Sequence, residues 1–114
     1  MKYGLSDKVI AKIIQVFTQF SQVEEVILYG SRAKGNYQKG SDIDLVIKGN
    51  NITISCLAKI RNAIDDLLIP YIVDLCIFDT IDNPSLIDHI NRVGIILYKN
   101  RESIPVPKRN GFDM

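Results

Sequence analysis

Leu28-Tyr29-Gly30-Ser31-Arg32-Ala33-Lys34-Gly35, and shortly after it Gly40-Ser41-Asp42-Ile43-Asp44-Leu45, are the stretches from which the rest of this chain can be read. The apolar run Val26-Ile27-Leu28-Tyr29 predicts a strand that Gly30 ends. A short helical turn starts at Ser31, followed by a polar loop from Lys34 to Ser41. From Asp42 to Lys48 the residues alternate. Asp42, Asp44 and Val46 fall on one face, and Ile43, Leu45 and Ile47 on the other.

Upstream, Ser6 can cap a helix over 7–20, where Val9, Ile10, Ile13, Ile14, Phe17 and Phe20 recur at helical spacing. Downstream, Gly49-Asn50-Asn51 turns the chain into a second amphipathic helix over 54–68, with Leu57, Ile60, Ile64 and Leu67 inward. Pro70 stops that helix, and Tyr71 to Phe78 reads as an apolar strand with one charge, Asp74, at its centre. Asn83-Pro84-Ser85 opens a short helix to about Arg92, and Ile95 to Tyr98 reads as a last strand. The expected unit is one domain over 1–98 with a tail over 99–114. This order of elements is α/β or α+β in class. The expectation is a small mixed β-sheet with helices packed on one face, the other face being open and carrying the acids. Strands 26–29 and 42–47 can pair either way from sequence.

Three groups carry candidate chemistry. Gly30 between strand and helix lets backbone approach a ligand closely, Ser31 adds a hydroxyl, and Arg32 adds a fork of donors suited to phosphate or carboxylate. A plain turn with an N-cap explains the same residues. Asp42 and Asp44, alternate residues of a strand, stand roughly 6.5–7 Å apart on one face and suit hard cations such as Mg²⁺. A solvated edge strand explains them too. Asp74 in an apolar strand needs a cation or a metal as compensation, and Arg32 or Lys48 is the simple alternative to a metal. Asp79 and Asp82 are weaker candidates for the third acid. If strand 71–78 neighbours strand 42–48, Asp42, Asp44 and Asp74 meet in one small volume, the pattern of two-metal sites. His89, the single histidine, reads as a surface or packing residue.

Gly30-Ser31, ten residues, then Asp42-Ile43-Asp44, with Asp74 on a later strand, resembles the DNA polymerase β-like nucleotidyltransferase superfamily. More narrowly, the quoted stretches resemble its minimal nucleotidyltransferase (MNT) members, over about 20–98. Lys34 stands where arginine is common in that family. The resemblance implies the polymerase β-like fold and transfer of a nucleoside monophosphate, AMP from ATP, to a hydroxyl. It implies Gly30, Ser31 and Arg32 as nucleotide-binding residues, and Asp42, Asp44 and Asp74 as catalytic residues holding two Mg²⁺ ions. Asp74 would also help deprotonate the acceptor, and Arg32 would touch the triphosphate or orient the acids. It further implies a small helical HEPN-domain partner encoded by a neighbouring gene, joined in a hetero-oligomer. By the same resemblance the partner would be a toxin whose tyrosine is adenylylated, and this chain the antitoxin. A nucleotidyltransferase acting on a small molecule such as an aminoglycoside is the alternative within the enzyme class. A non-catalytic subunit neutralising its partner by contact is the alternative outside it.

Composition excludes other classes. The chain has 114 residues, 14 Lys plus Arg against 13 Asp plus Glu, and signs mixed along its length, so no concentrated basic face for nucleic acid is expected. No apolar run reaches the roughly 20 residues of a membrane helix, and no signal-peptide core follows Met1. Cys56 and Cys76 lack metal spacing and read as reduced, buried thiols in a cytoplasmic protein. Beside the larger relatives that the resemblance implies, a chain this short is expected to hold no separate acceptor-binding domain, and a partner could supply it.

Overall fold

Side-chain caps set the helices. In the structure, a computed structural model describing residues 1–100, the Ser6 hydroxyl accepts the Val9 N–H and starts helix α1 (Asp7–Phe17). The apolar spacing continues to Phe20, but the last turn tightens into bonds from Gln19 to Val16 and from Phe20 to Phe17, and α1 ends early. Strand β1 (Val23–Tyr29) runs straight into the five-residue helix α2 (Gly30–Lys34). After the polar loop comes β2 (Ile43–Gly49).

Thr53 caps α3 (Ile54–Asp65) by accepting the Cys56 N–H. The helix stops short of Leu68, which takes a left-handed φ of 54° two residues before Pro70. Strand β3 (Val73–Ile77) leads through a turn of 3-10 helix (Phe78–Thr80) to Asn83. The Asn83 side chain caps α4 (Pro84–Val93), with proline at the first position, where its missing N–H costs nothing. Strand β4 (Ile95–Lys99) completes the described chain and takes in Lys99, the first residue of the expected tail. Residues 101–114 of that tail lie outside the described residues.

The four strands lie in the order β3-β2-β1-β4. The pairing left open by sequence is antiparallel between β1 and β2, as it is between β1 and β4, whereas β2 and β3 run parallel with α3 as their crossover. The sheet is therefore mixed, and strand alternation divides it into two unequal faces. Val26, Leu28, Ile43, Leu45 and Ile47 point to one side and pack, fully buried, with Ile13 and Phe17 of α1 and Ile60 of α3. Burying each such side chain contributes about 1.5–3 kcal/mol, so this layer carries most of the stability.

The other face carries Ile27, Tyr29 and Val46, which pack with Ile90 of α4. Helices α1 and α3 share a face as expected, and α4 crosses to cover part of the opposite one. The reason is local: the acid-bearing face turns apolar beyond Asp44, and those side chains need a cover. A second difference concerns β3. It is an edge strand, and Asp74 is exposed rather than a charge sealed in the core. The Arg61 guanidinium donates to the Leu75 carbonyl at 3.2 Å, satisfying one group of that strand.

Candidate active site

The register of the sheet assembles the acids. Asp44 on β2 is the ladder partner of Tyr29 on β1 and of Asp74 on β3. Ladder partners project to the same face across one strand spacing, about 4.8 Å, so two carboxylates and a phenol form a row. Asp42 lies two residues before Asp44, just outside β2 and exposed. Its charge is near enough to act on Asp44 at the mouth of the strand.

Gly30 closes the row from beneath. It follows Tyr29 with φ +74°, a conformation that side chains resist, and a Cβ there would collide with the Asp44 carboxylate. The carboxylate thus rests on bare backbone. Ser31, half-buried, begins the next turn. The Gly30 N–H donates to Nε2 of His89 on α4 at 3.1 Å, and the His89 ring meets Tyr29 edge-on.

Arg32 is 2% exposed, the one charged residue buried among the described ones. Its Nε and one terminal nitrogen donate to the Ser41 carbonyl at 3.2 and 2.8 Å, and its other nitrogen donates to the Tyr3 carbonyl at 2.9 Å. The rings of Tyr37 and Tyr71 stack on the guanidinium at 5.3 and 5.0 Å. Arg32 therefore grips the residue before Asp42 and the N-terminal segment. All three of its nitrogens are engaged with protein.

Burial pushes the Asp44 carboxyl above the ordinary aspartate value, and repulsion from Asp74 and Asp42 adds to the rise, while Arg32 opposes it. Burial likewise raises the Tyr29 phenol far above its usual value and the Cys76 thiol with it; the two are 3.4 Å apart. Cys76 is only half-buried, unlike Cys56, and both are free thiols.

Among the described residues neither Asp42, Asp44 nor Asp74 has an ion pair; the pairs present are Arg92–Asp88 and Lys99–Glu25. The simple alternative for Asp74 is not observed, since Arg32 is bound elsewhere and Lys48 lies over the Phe78 ring. The three carboxylates do not close into a ready-made cage: no group of three such ligands is preformed among the described residues. What they present is surplus negative charge and oxygen donors on one face, a donor set that fits a hard divalent cation. Asp79 and Asp82 are exposed beyond the end of β3. A cavity of about 220 Å³ lies elsewhere, lined by Ile64, Asp65, Ile69, Tyr71, Ile72 and Val73, and none of the three acids borders it.

Sequence reading missed His89 and Tyr29 as neighbours of the acids. The available signal was that Leu86, His89, Ile90 and Val93 follow helical spacing, which puts the histidine on the inward stripe of α4.

No helix of the described residues is long and apolar enough to cross a membrane. No curated protein sequence matches the chain. Among solved structures, a toxin–antitoxin structure with AMP-PNP is 18% identical with a TM-score of 0.64, covering 86% of this chain and 77% of its own. A tri-AMPylated Shewanella oneidensis HEPN toxin in complex with MNT antitoxin is 16% identical, with a TM-score of 0.62 and coverages of 86% and 76%. The toxin–antitoxin MntA-HepT is similar at 16% identity, a TM-score of 0.62 and coverages of 85% and 75%. These likenesses establish the fold. The sequence profile of the family described as "Polymerase beta, Nucleotidyltransferase" matches residues 11–103, which takes in every strand and all three acids, and the chain belongs to that nucleotidyltransferase family.

Proposed function

We propose that this nucleotidyltransferase moves AMP from ATP onto a hydroxyl, a tyrosine of a small helical HEPN-domain partner, and thereby acts as an antitoxin. The observation that carries the reading is the in-register pair Asp44–Asp74, free of cationic partners among the described residues and seated on the Gly30 backbone. The solved structures of similar fold support the partner: one is a complex of an AMPylated HEPN toxin with an MNT antitoxin.

Asp42, Asp44 and Asp74 would hold two Mg²⁺ ions, which when bound neutralise the triphosphate and the charge that develops at the α-phosphorus. Gly30, lacking a side chain, lets the triphosphate approach the backbone, and the Ser31 hydroxyl offers a donor beside it. Asp74, exposed on the edge strand, is reachable by an incoming hydroxyl and takes its proton. The hydroxyl oxygen then bonds to the α-phosphorus, the bond to the β-phosphate oxygen breaks, and pyrophosphate leaves. Arg32 keeps Asp42 in place by fixing Ser41. Rate arises from positioning and charge neutralisation, with no protein nucleophile.

Incubation with α-labelled ATP, Mg²⁺ and the helical protein encoded beside this chain tests the reading. Label is expected on the partner, reduced by about a hundredfold or more in the Asp42→Asn/Asp44→Asn variant. Absence of label, or label unaffected by the double substitution, overturns it.

A further inference from the structure

The histidine on α4 is joined to the turn after β1 by one hydrogen bond that spans 59 residues of sequence, from Gly30 N to His89 Nε2. Gly30 lies one residue past the end of the β1–β2 ladder, at Tyr29, and two past the end of the β1–β4 ladder, at Leu28. It is also the first residue of α2, so its N–H has no partner within the helix. A side chain from another element supplies one. For Nε2 to accept, the imidazole is neutral with its proton on Nδ1.

The ring is held from several sides. Tyr29 stands edge-on at 6.2 Å, Ile90 is anchored in the cluster with Ile27 and Val46, and Asn83 fixes the start of the helix. Gly30 also lies against the Asp44 carboxylate so closely that a Cβ has no room. Gly30 is thus held against both an imidazole and an acid.

We propose that His89 is a positioning residue of the active centre: by accepting the Gly30 N–H it fixes the peptide plane on which the Asp44 carboxylate rests, tying α4 to the acids. The inference rests on the nucleotidyltransferase reading above, in which Asp44 holds metal and Gly30 borders the triphosphate. Without the acceptor, the Gly30 peptide is free to rotate and Asp44 loses its floor. Misplacement on the ångström scale then costs roughly ten- to a hundredfold in turnover.

The test compares wild type with His89→Ala, His89→Gln and Asp88→Asn, the last being exposed on the same helix. Three measurements are made: label transfer from ATP to the helical partner, affinity for Mn²⁺ with AMP-PNP, and melting temperature. In wild type, NMR should show scalar coupling across the hydrogen bond between the Gly30 and His89 nitrogens. His89→Ala should lower kcat at least tenfold with a smaller change in KM. His89→Gln, whose amide oxygen can accept the same N–H, should recover most of the loss, and Asp88→Asn should match wild type. A His89→Ala enzyme with unchanged kcat, a loss that tracks melting temperature alone, or a glutamine variant no better than alanine overturns the inference while the function stands. A wild-type chain that transfers no label overturns both.

Discussion

Asp44 and Asp74 occupy matching positions in the parallel ladder between β2 and β3, so two carboxylates stand side by side with no ion pair to either among the described residues. Neighbouring like charges on one face destabilise a sheet. Here burial and the second acid together hold the Asp44 proton more tightly than usual.

The electrostatics predict a pH dependence for the metal-free protein. A carboxyl whose folded value lies above the unfolded one favours the folded state when protonated. Its contribution is full below the ordinary value of 3.8 and is lost as pH rises through the folded value. Asp44→Asn should therefore melt a few degrees above wild type at pH 7 in the presence of chelator, and the gap should close below that ordinary value. Millimolar Mn²⁺ should raise the melting temperature of wild type more than that of Asp44→Asn, since only wild type keeps all three carboxylates.

Gly30→Ala should fail twice over. The left-handed φ costs an alanine about 1 kcal/mol or more, and its methyl group meets the Asp44 carboxylate. Urea unfolding should show that loss, and label transfer should fall by more than the fraction unfolded, because Asp44 must move.

Arg32→Ala should cost about 3 kcal/mol, since it orphans the Ser41 and Tyr3 carbonyls and empties the slot between Tyr37 and Tyr71. Arg32→Lys should recover little, because an ammonium cannot make the planar two-nitrogen grip on Ser41. Chemical denaturation of both variants measures this.

Core truncation should separate the two faces of the fold from its surface. Phe17→Ala, at a fully buried position, should lose about 3–5 kcal/mol. Ile72→Ala, at a side chain 69% exposed, should stay within about 0.5 kcal/mol of wild type by the same denaturation assay.

Much of the fold was readable in the sequence because its signals are short-ranged. The caps Ser6 and Asn83, the alternation from Asp42 to Lys48 and the glycine turn after Tyr29 each act within a few residues, and each appears in the structure where the pattern puts it. Helix ends were less legible. The apolar stripe of α1 continues to Phe20, whereas the main chain has already left helical bonding after Phe17.

The sequence by itself determined which segments form strands and helices, and that Asp44 and Val46 share a face. These follow from periods of 2 and 3.6 along one segment. Only the tertiary structure decided that β3 lies at an edge beside β2, that α4 crosses to the acid-bearing face, and that Arg32 spends its donors on Ser41 and Tyr3. The pairing of Gly30 with His89 belongs to the same class. Periodicity assigns a side chain to a face, but which distant segment meets that face depends on packing the whole chain at once.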